Sequence, residues 1–167
     1  MIKQLIPQEY CLKCSGCCRF NKEDSVWSPC LLDEEIISFI DKDGFPALSV
    51  SSDKRLHLVA NPQGEGFICP LLDAKENKCR AYQMRPFECQ LYPFLICLRG
   101  KKVHLTVDLN CPYVKENLNS FELKEYINYL TDYLNQPKQR KLLLENPQIL
   151  QAYEEVLYIM ELDLTKE

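Results

Sequence analysis

The chain has 167 residues, 46% hydrophobic and 26% charged, with ten Pro and five Gly, which excludes a collagen-like repeat and low-complexity disorder. Twenty Lys and Arg stand against 24 Asp and Glu, a formal charge of −4, so no global positive field recommends the chain as a binder of nucleic acid or of an anionic membrane. A single domain, 1–167, is the expectation at this length, and such a domain buries roughly 70% of its unfolded surface, enough for a core without covalent staples.

The first ten residues, MIKQLIPQEY, contain neither a long apolar core nor a small-residue cleavage site, so no secretory signal is expected. In mid-chain the longest apolar run is Phe94 to Leu98, far short of the roughly 20 residues that span a bilayer. The expected location is the cytoplasm. A reducing compartment disfavours structural disulfides, so the ten cysteines read as metal ligands or redox groups.

In chain order, residues 1–30 carry Cys11, Cys14, Cys17 and Cys18 with little hydrophobic periodicity, and an irregular loop ordered by a ligand is predicted. Asp33 to Lys42 reads as a short helix with Asp33 as N-cap, Glu34 and Glu35 at its positive end, Ile36, Ile37 and Ile40 as its apolar stripe, and Gly44 as its stop. From Arg55 to Asp108 short extended pieces take over. Leu56, Leu58 and Ala60 alternate against Arg55, His57 and Val59, and the turn Asn61-Pro62-Gln63-Gly64 follows. Between Met84 and Pro93, Pro86 opens and Pro93 closes a single helical turn bearing Cys89. Pro93 to Leu98 and Lys102 to Leu109 flank Arg99-Gly100-Lys101 as a hairpin.

After Cys111-Pro112 the pattern turns helical. Leu123, Ile127, Leu130 and Leu134 recur at helical spacing, widened by Tyr126, Tyr129 and Tyr133, and the aromatic-rich helix from Phe121 to Tyr133 reads as core, with a partner-binding surface as the alternative and Pro137 as the stop. Asn146-Pro147 opens a second predicted helix with Ile149, Ala152 or Tyr153, Val156, Ile159 and Met160 inward.

The spacing C-x2-C-x2-C-C at Cys11, Cys14, Cys17 and Cys18 turns the backbone back on itself with amides facing sulfurs, and Gly16 permits close approach or positive φ. Cys11, Cys14 and Cys17 match the first three ligands of the bacterial iron–sulfur spacing, and Cys69-Pro70 and Cys111-Pro112 are similar to its remote Cys-Pro. Zinc competes, because a closed four-thiolate site is built from the same knuckles. Consecutive Cys17 and Cys18 side chains point apart, which argues either for more than one metal or for one of the two as a redox or supporting thiol.

The chain resembles the CxxCxxCC zinc- or iron-chelating domain family, also called YkgJ-like cysteine-cluster proteins. The resemblance is carried by CLKCSGCC at 11–18, FICPLLD at 67–73, CRAYQMRPFECQLYPF at 79–94 and NCPY at 110–113. It departs at Ala81, where an aliphatic residue is usual, and at Gln90, where Arg is common. The resemblance implies Cys11, Cys14, Cys17, Cys18, Cys69, Cys79, Cys89 and Cys111 as metal ligands and leaves Cys30 and Cys97 outside the pattern, as ordinary buried thiols. Some family members, flagellin lysine methylases, join a similar domain to a longer chain.

Arg85 is a candidate cofactor-binding group, since four thiolates exceed the charge of a dication by two; a salt bridge holding the Arg-Pro turn is the plainer reading. Lys13, Arg19, Lys78 and Arg80 also flank ligand positions. Tyr82 and Tyr92 read as packing, and His57 and His104 as surface or hydrogen-bonded residues rather than ligands.

The predicted fold is α+β: an irregular cysteine-rich metal-binding core with short antiparallel strands over 11–112, covered by C-terminal helices over 113–167. Metal ions are the implied partners. An iron–sulfur cluster with a redox or electron-transfer role is preferred; a zinc-stabilised structural or interaction module, or a relative of lysine N-methylase-type enzymes, is the alternative. No Ser-His-Asp or Cys-His arrangement has diagnostic spacing, so no catalytic residue is named.

Overall fold

The computed structural model describes residues 2–40 and 48–164. It is a mixed α+β chain with small antiparallel sheets, and it resolves into two compact units, Ile6–Gln90 and a second made of Ile2–Leu5 with Leu91–Glu167. No helix among the described residues is long and apolar enough to cross a membrane.

The first unit is built from very short pieces. Helix α1 (Gln8–Lys13) replaces the irregular loop expected around Cys11; it makes little more than one turn and buries no side chain. Strands β1 (Arg19–Phe20), β2 (Val59–Ala60) and β3 (Phe67–Ile68) form an antiparallel sheet in the order β1-β3-β2, with Ile68 facing both Arg19 and Val59. The turn into β3 needs glycine at position 66, where φ is +79° and an added Cβ would lie 2.6 Å from the Phe20 carbonyl oxygen. Strands β4 (Leu72–Asp73) and β5 (Lys78–Cys79) make a second, two-stranded ladder. A 3-10 turn at Tyr82–Met84 leads to helix α3 (Phe87–Leu91), the expected single turn bearing Cys89.

Helix α2 (Asp33–Ile40) forms as predicted over its described part; Lys42 and Gly44 lie outside the described residues. Its capping differs from the expectation. Asp33 is already helical, and the Leu32 N–H is satisfied by Glu35 Oε2 at 2.9 Å while the Leu32 carbonyl accepts from Glu35 and Ile36. Ile36 packs on the core and Phe39 is buried, whereas Ile37 is 65% exposed.

The core of this unit gathers Phe20, Leu31, Phe39, Leu56, Leu58, Ile68, Leu71, Leu72, Ala81 and Cys69, with Cys18 and Cys79 packed against it. Three cysteine side chains therefore share the apolar interior. The alternation expected from Arg55 to Ala60 holds for Leu56 and Leu58 but fails at Arg55, which is buried, and at Ala60, which is exposed. Arg55 turns inward because its Nη1 donates to the Val26 and Ser28 carbonyls, both at 2.6 Å, and its Nε lies 3.2 Å from Asp53. Those bonds offset the cost of burying the charge.

The second unit contains the longer elements. Strands β6 (Phe94–Arg99) and β7 (Lys102–Asp108) form the predicted hairpin, closed by Gly100 at φ +62°. Helix α4 (Pro112–Asn117) starts behind Cys111. Helix α5 (Phe121–Leu134) is capped by Ser120 Oγ, which accepts from the Leu123 N–H at 3.1 Å, and buries Leu123, Tyr126, Leu130 and Leu134. Phe121, expected inward, is 74% exposed. Tyr126 donates to the Lys3 carbonyl and Tyr129 Oη accepts from the Lys3 N–H at 3.0 Å, so the first residues are tied to α5.

Two expectations are corrected here. Pro137 does not stop α5, which ends at Leu134; it is the first residue of helix α6 (Pro137–Glu145). The helix expected after Asn146 is a 3-10 turn, Pro147–Ile149, followed by strand β8 (Val156–Leu162), which pairs antiparallel with β7 and completes the order β6-β7-β8. A short apolar run fits both a helical and an extended period. The unsatisfied edge of β7 decides between them, and a bulge between Leu105 and Thr106 accommodates Ile159.

Candidate metal centre

All ten cysteines are free thiols. The seven candidate ligands of the first unit arrive on four segments. Cys11 sits in α1, and Cys14 ends that helix with its N–H on the Cys11 carbonyl at 3.1 Å. Gly16 does not occupy the left-handed region; its missing Cβ leaves room for Cys14 Sγ, 3.4 Å from where that carbon would stand. Cys18 is locked to the second segment, because its carbonyl accepts from the Cys69 N–H at 3.0 Å just beyond the β1–β3 pairing. Cys79 ends β5, and Cys89 rides on α3.

Helix α3 is itself held by carboxylates. Glu35 Oε1 accepts from the Phe87 N–H at 2.6 Å, and the buried Glu88 accepts from the Cys30 N–H at 2.6 Å. Burial pushes the Glu35 carboxyl up to about 7, against the pull of the Leu32 and Phe87 amides.

The thiols influence one another. The hydrogen bond to Cys18 raises the Cys17 thiol well above its ordinary value, with desolvation and the Cys18 charge adding to it, although the residue as a whole is exposed. Cys69 is pushed up to about 12, first by burial and then by the charges of Cys79 and Cys17, while the backbone amides of Leu71 and Leu72 pull it down. Burial raises Cys79, opposed by the Ala81 amide and by Arg85. Burial also raises Cys89 well above the usual range, followed by the charges of Cys69, Glu88, Cys79 and Cys17. Cys17, Cys18, Cys69, Cys79 and Cys89 are thus within electrostatic reach as one group, and Arg85 favours the ionised form of Cys17 and Cys79. Arg85 is fixed by stacking, its Cζ 4.2 Å from the centre of the Tyr82 ring. Among the described residues no three or more Cys, His, Asp or Glu side chains are closed tightly enough to hold an ion as they stand.

The end of α1 at Cys14 is tied to the β4–β5 hairpin by Asn77, a residue that sequence reasoning passed over. Its Nδ2 donates to the Leu12 carbonyl at 2.7 Å and to the Cys14 carbonyl at 2.8 Å, and its Oδ1 accepts from Arg19 Nη1 at 2.7 Å. The only available signal was an Asn inside a turn just before a cysteine. Of the other flanking cations, Arg80 lies 3.6 Å from Asp73. Cys111 belongs to the second unit, buried at the start of α4.

Cys30 and Cys97 have other surroundings. Cys30 is buried near Glu88, Arg55 and Asp53, and burial pushes its thiol up to about 12. Cys97 is buried on β6, with Sγ 3.8 Å from the Tyr153 carbonyl and from Tyr158 Oη. His57 is exposed, and His104 packs edge-on against Tyr158 at 5.2 Å. Tyr92 donates to Asp108 at 2.9 Å.

Thiols that influence one another, with the Leu71, Leu72 and Ala81 amides favouring ionised Cys69 and Cys79 and Arg85 beside the group, point to the cysteine-chelating class. Residues 10–120 match the model of the CxxCxxCC family, described as "Putative zinc- or iron-chelating domain", and the chain belongs to that family. Uncharacterized protein MJ0661 of Methanocaldococcus jannaschii is 42% identical over 41 residues, 25% of this chain and 22% of that relative's length. No solved structure matches the chain.

Proposed function

We propose that the chain is a metallothiolate protein whose first unit holds an iron–sulfur cluster with a redox or electron-transfer role. The observation that carries this reading is the gathering of Cys17, Cys18, Cys69, Cys79 and Cys89 into one electrostatic neighbourhood with Arg85. Isolated from a cation, such a group is unfavourable as thiolates, because each charge is desolvated and repels the next. A bound cation reverses that balance, and soft thiolates suit iron–sulfur clusters and zinc alike.

The residues fit that cargo. Leu71, Leu72 and Ala81 present backbone amides to the sulfurs of Cys69 and Cys79, stabilising ionised ligands, and Arg85 offsets negative charge in excess of the metal's. Cys69 is buried in the apolar core, and Cys18 and Cys79 pack against that core with part of their surface exposed. When bound, a cluster supplies reversible one-electron chemistry; the chain supplies ligands, amides, a cation and an apolar wall. Cys11 and Cys14 extend the proposed ligand set through the Asn77 contact. Cys111 stands in it on the family resemblance alone.

Anaerobic purification followed by elemental analysis and a visible spectrum tests the assignment. Iron with inorganic sulfide and an absorption band bleached by dithionite is the expected result. Zinc without a chromophore would replace it with a zinc-stabilised interaction module, and a chain free of metal after anaerobic isolation would overturn both.

A further inference from the structure

Two segments that bring candidate ligands to the first unit carry charge opposite in sign to that of the chain. Over residues 9–19, Lys13 and Arg19 stand against Glu9; over 73–85, Lys75, Lys78, Arg80 and Arg85 stand against Asp73 and Glu76. That is an excess of three cations in a chain whose formal charge is −4. The two segments meet in space, because the Asn77 carboxamide donates to the Leu12 and Cys14 carbonyls at 2.7 and 2.8 Å and accepts from Arg19 Nη1 at 2.7 Å. Asp73 is occupied: it accepts from the Lys75 and Glu76 amides at 3.0 and 3.2 Å and lies 3.6 Å from Arg80. Arg85 favours the ionised thiols of Cys17 and Cys79. Lys13, Lys75 and Lys78 are exposed and form no ion pair among the described residues.

The same segments carry the candidate ligands towards solvent. Leu12, Ser15, Gly16 and Cys17 are exposed, whereas Cys69 is buried. Cys17 belongs to the thiol group through its effect on Cys69, Cys79 and Cys89. An electron passes between proteins over a short reach, so a partner has to dock where the ligand-bearing backbone meets solvent. Redox encounters of this kind bury little area, and complementary charge supplies their rate and orientation. Cations flanking one exposed Leu suit such a contact. They do not suit a nucleic acid, because Glu9 and Glu76 interrupt them and the total charge repels a polyanion.

We propose that Lys13, Lys75 and Lys78 form the docking surface for an acidic partner protein that exchanges one electron with the thiol-bound centre. The partner is oxidised as the centre is reduced, or the reverse, and no covalent bond forms or breaks. The electron exchange rests on the cluster reading given above.

The test uses the anaerobically isolated, metal-bound full chain, with an acidic plant-type ferredoxin as probe. A water-soluble carbodiimide joins paired Lys and carboxylate groups, and peptide mass spectrometry maps the joints. Cross-links should fall on Lys13, Lys75 and Lys78 at least about tenfold more often than on the exposed Lys101 and Lys138, and should disappear at about 0.5 M salt. At equal metal content, affinity for the ferredoxin should fall about tenfold in Lys13→Glu/Lys78→Glu and stay at the parent value in Lys101→Glu/Lys138→Glu, which changes the net charge equally. Cross-links spread evenly over the exposed lysines, equal losses in the two variants, or tighter binding of a single-stranded oligonucleotide than of ferredoxin at the same lysines would each overturn the docking surface and leave the cluster reading standing. A chain isolated anaerobically with zinc alone, or with no metal, would instead overturn the cluster reading and the electron exchange with it.

Discussion

The two units solve the problem of staying folded in different ways. In Leu91–Glu167 the β6–β7 and β7–β8 ladders run through six residue pairs each, and α5 presents a regular apolar stripe beneath a side-chain cap. In Ile6–Gln90 every described strand is two residues long, and single side chains add to the apolar core in connecting them: Glu35 and Glu88 on α3, Asn77 on the cysteine turn, Arg55 on the carbonyls of Val26 and Ser28. Backbone ladders run through one unit, whereas the other concentrates its cysteines where its regular structure is thinnest. The difference teaches that a metal held as proposed in the first unit would serve as structure as much as chemistry.

Metal removal should break the comparison most visibly. Structural metal contributes on the order of 10 kcal/mol in small zinc peptides, so verified metal-free protein should exchange amide hydrogens rapidly over 8–90 while β6, β7, β8 and α5 stay protected. Uniform exchange in both units, or unchanged protection throughout, would contradict the division. Next in size is a cavity in the other unit. Leu130, fully buried in α5, should cost about 3 kcal/mol when changed to Ala, lowering the melting temperature with no change in metal content.

A smaller effect sharpens the account of how α3 is held. Because burial raises the folded Glu35 carboxyl from 4.5 to about 7, protonation favours the folded state. Its contribution is fully present below about 4.5 and is lost as pH rises through about 7, on the order of 2 kcal/mol. Denaturant titrations of the parent and Glu35→Gln from pH 5 to 8 should therefore show the parent losing stability relative to the variant as pH rises. A pH-independent difference would remove burial as the cause. The smallest expected change follows Arg85→Gln: metal affinity falls by about tenfold, metal count is preserved, and Arg85→Lys recovers only part because it loses the planar stack on Tyr82. Competition with a chromophoric chelator measures it.

Much of the local structure was legible. The hairpin around Gly100, the single turn carrying Cys89 and the buried positions of α5 follow from turn chemistry and periodicity over a few residues. There are exceptions. Ile37 and Phe121 are apolar yet exposed, Arg55 is charged yet buried, and Val156–Leu162 is a strand where a helical stripe is equally readable. The last two were decided by partners distant in sequence: the carbonyls that receive Arg55, and the open edge of β7.

For the cysteines the same boundary holds. Their spacing, the Arg-Pro and Tyr-Pro neighbours and the family to which they belong are properties of the residue order, because turns and knuckles are encoded within a few positions. Which thiols feel one another, how α3 is clamped by two glutamates, and how one carboxamide brings the first cysteine turn to a hairpin more than sixty residues away emerged only with the tertiary structure. Burial and charge act through space, and local sequence has no period that records them.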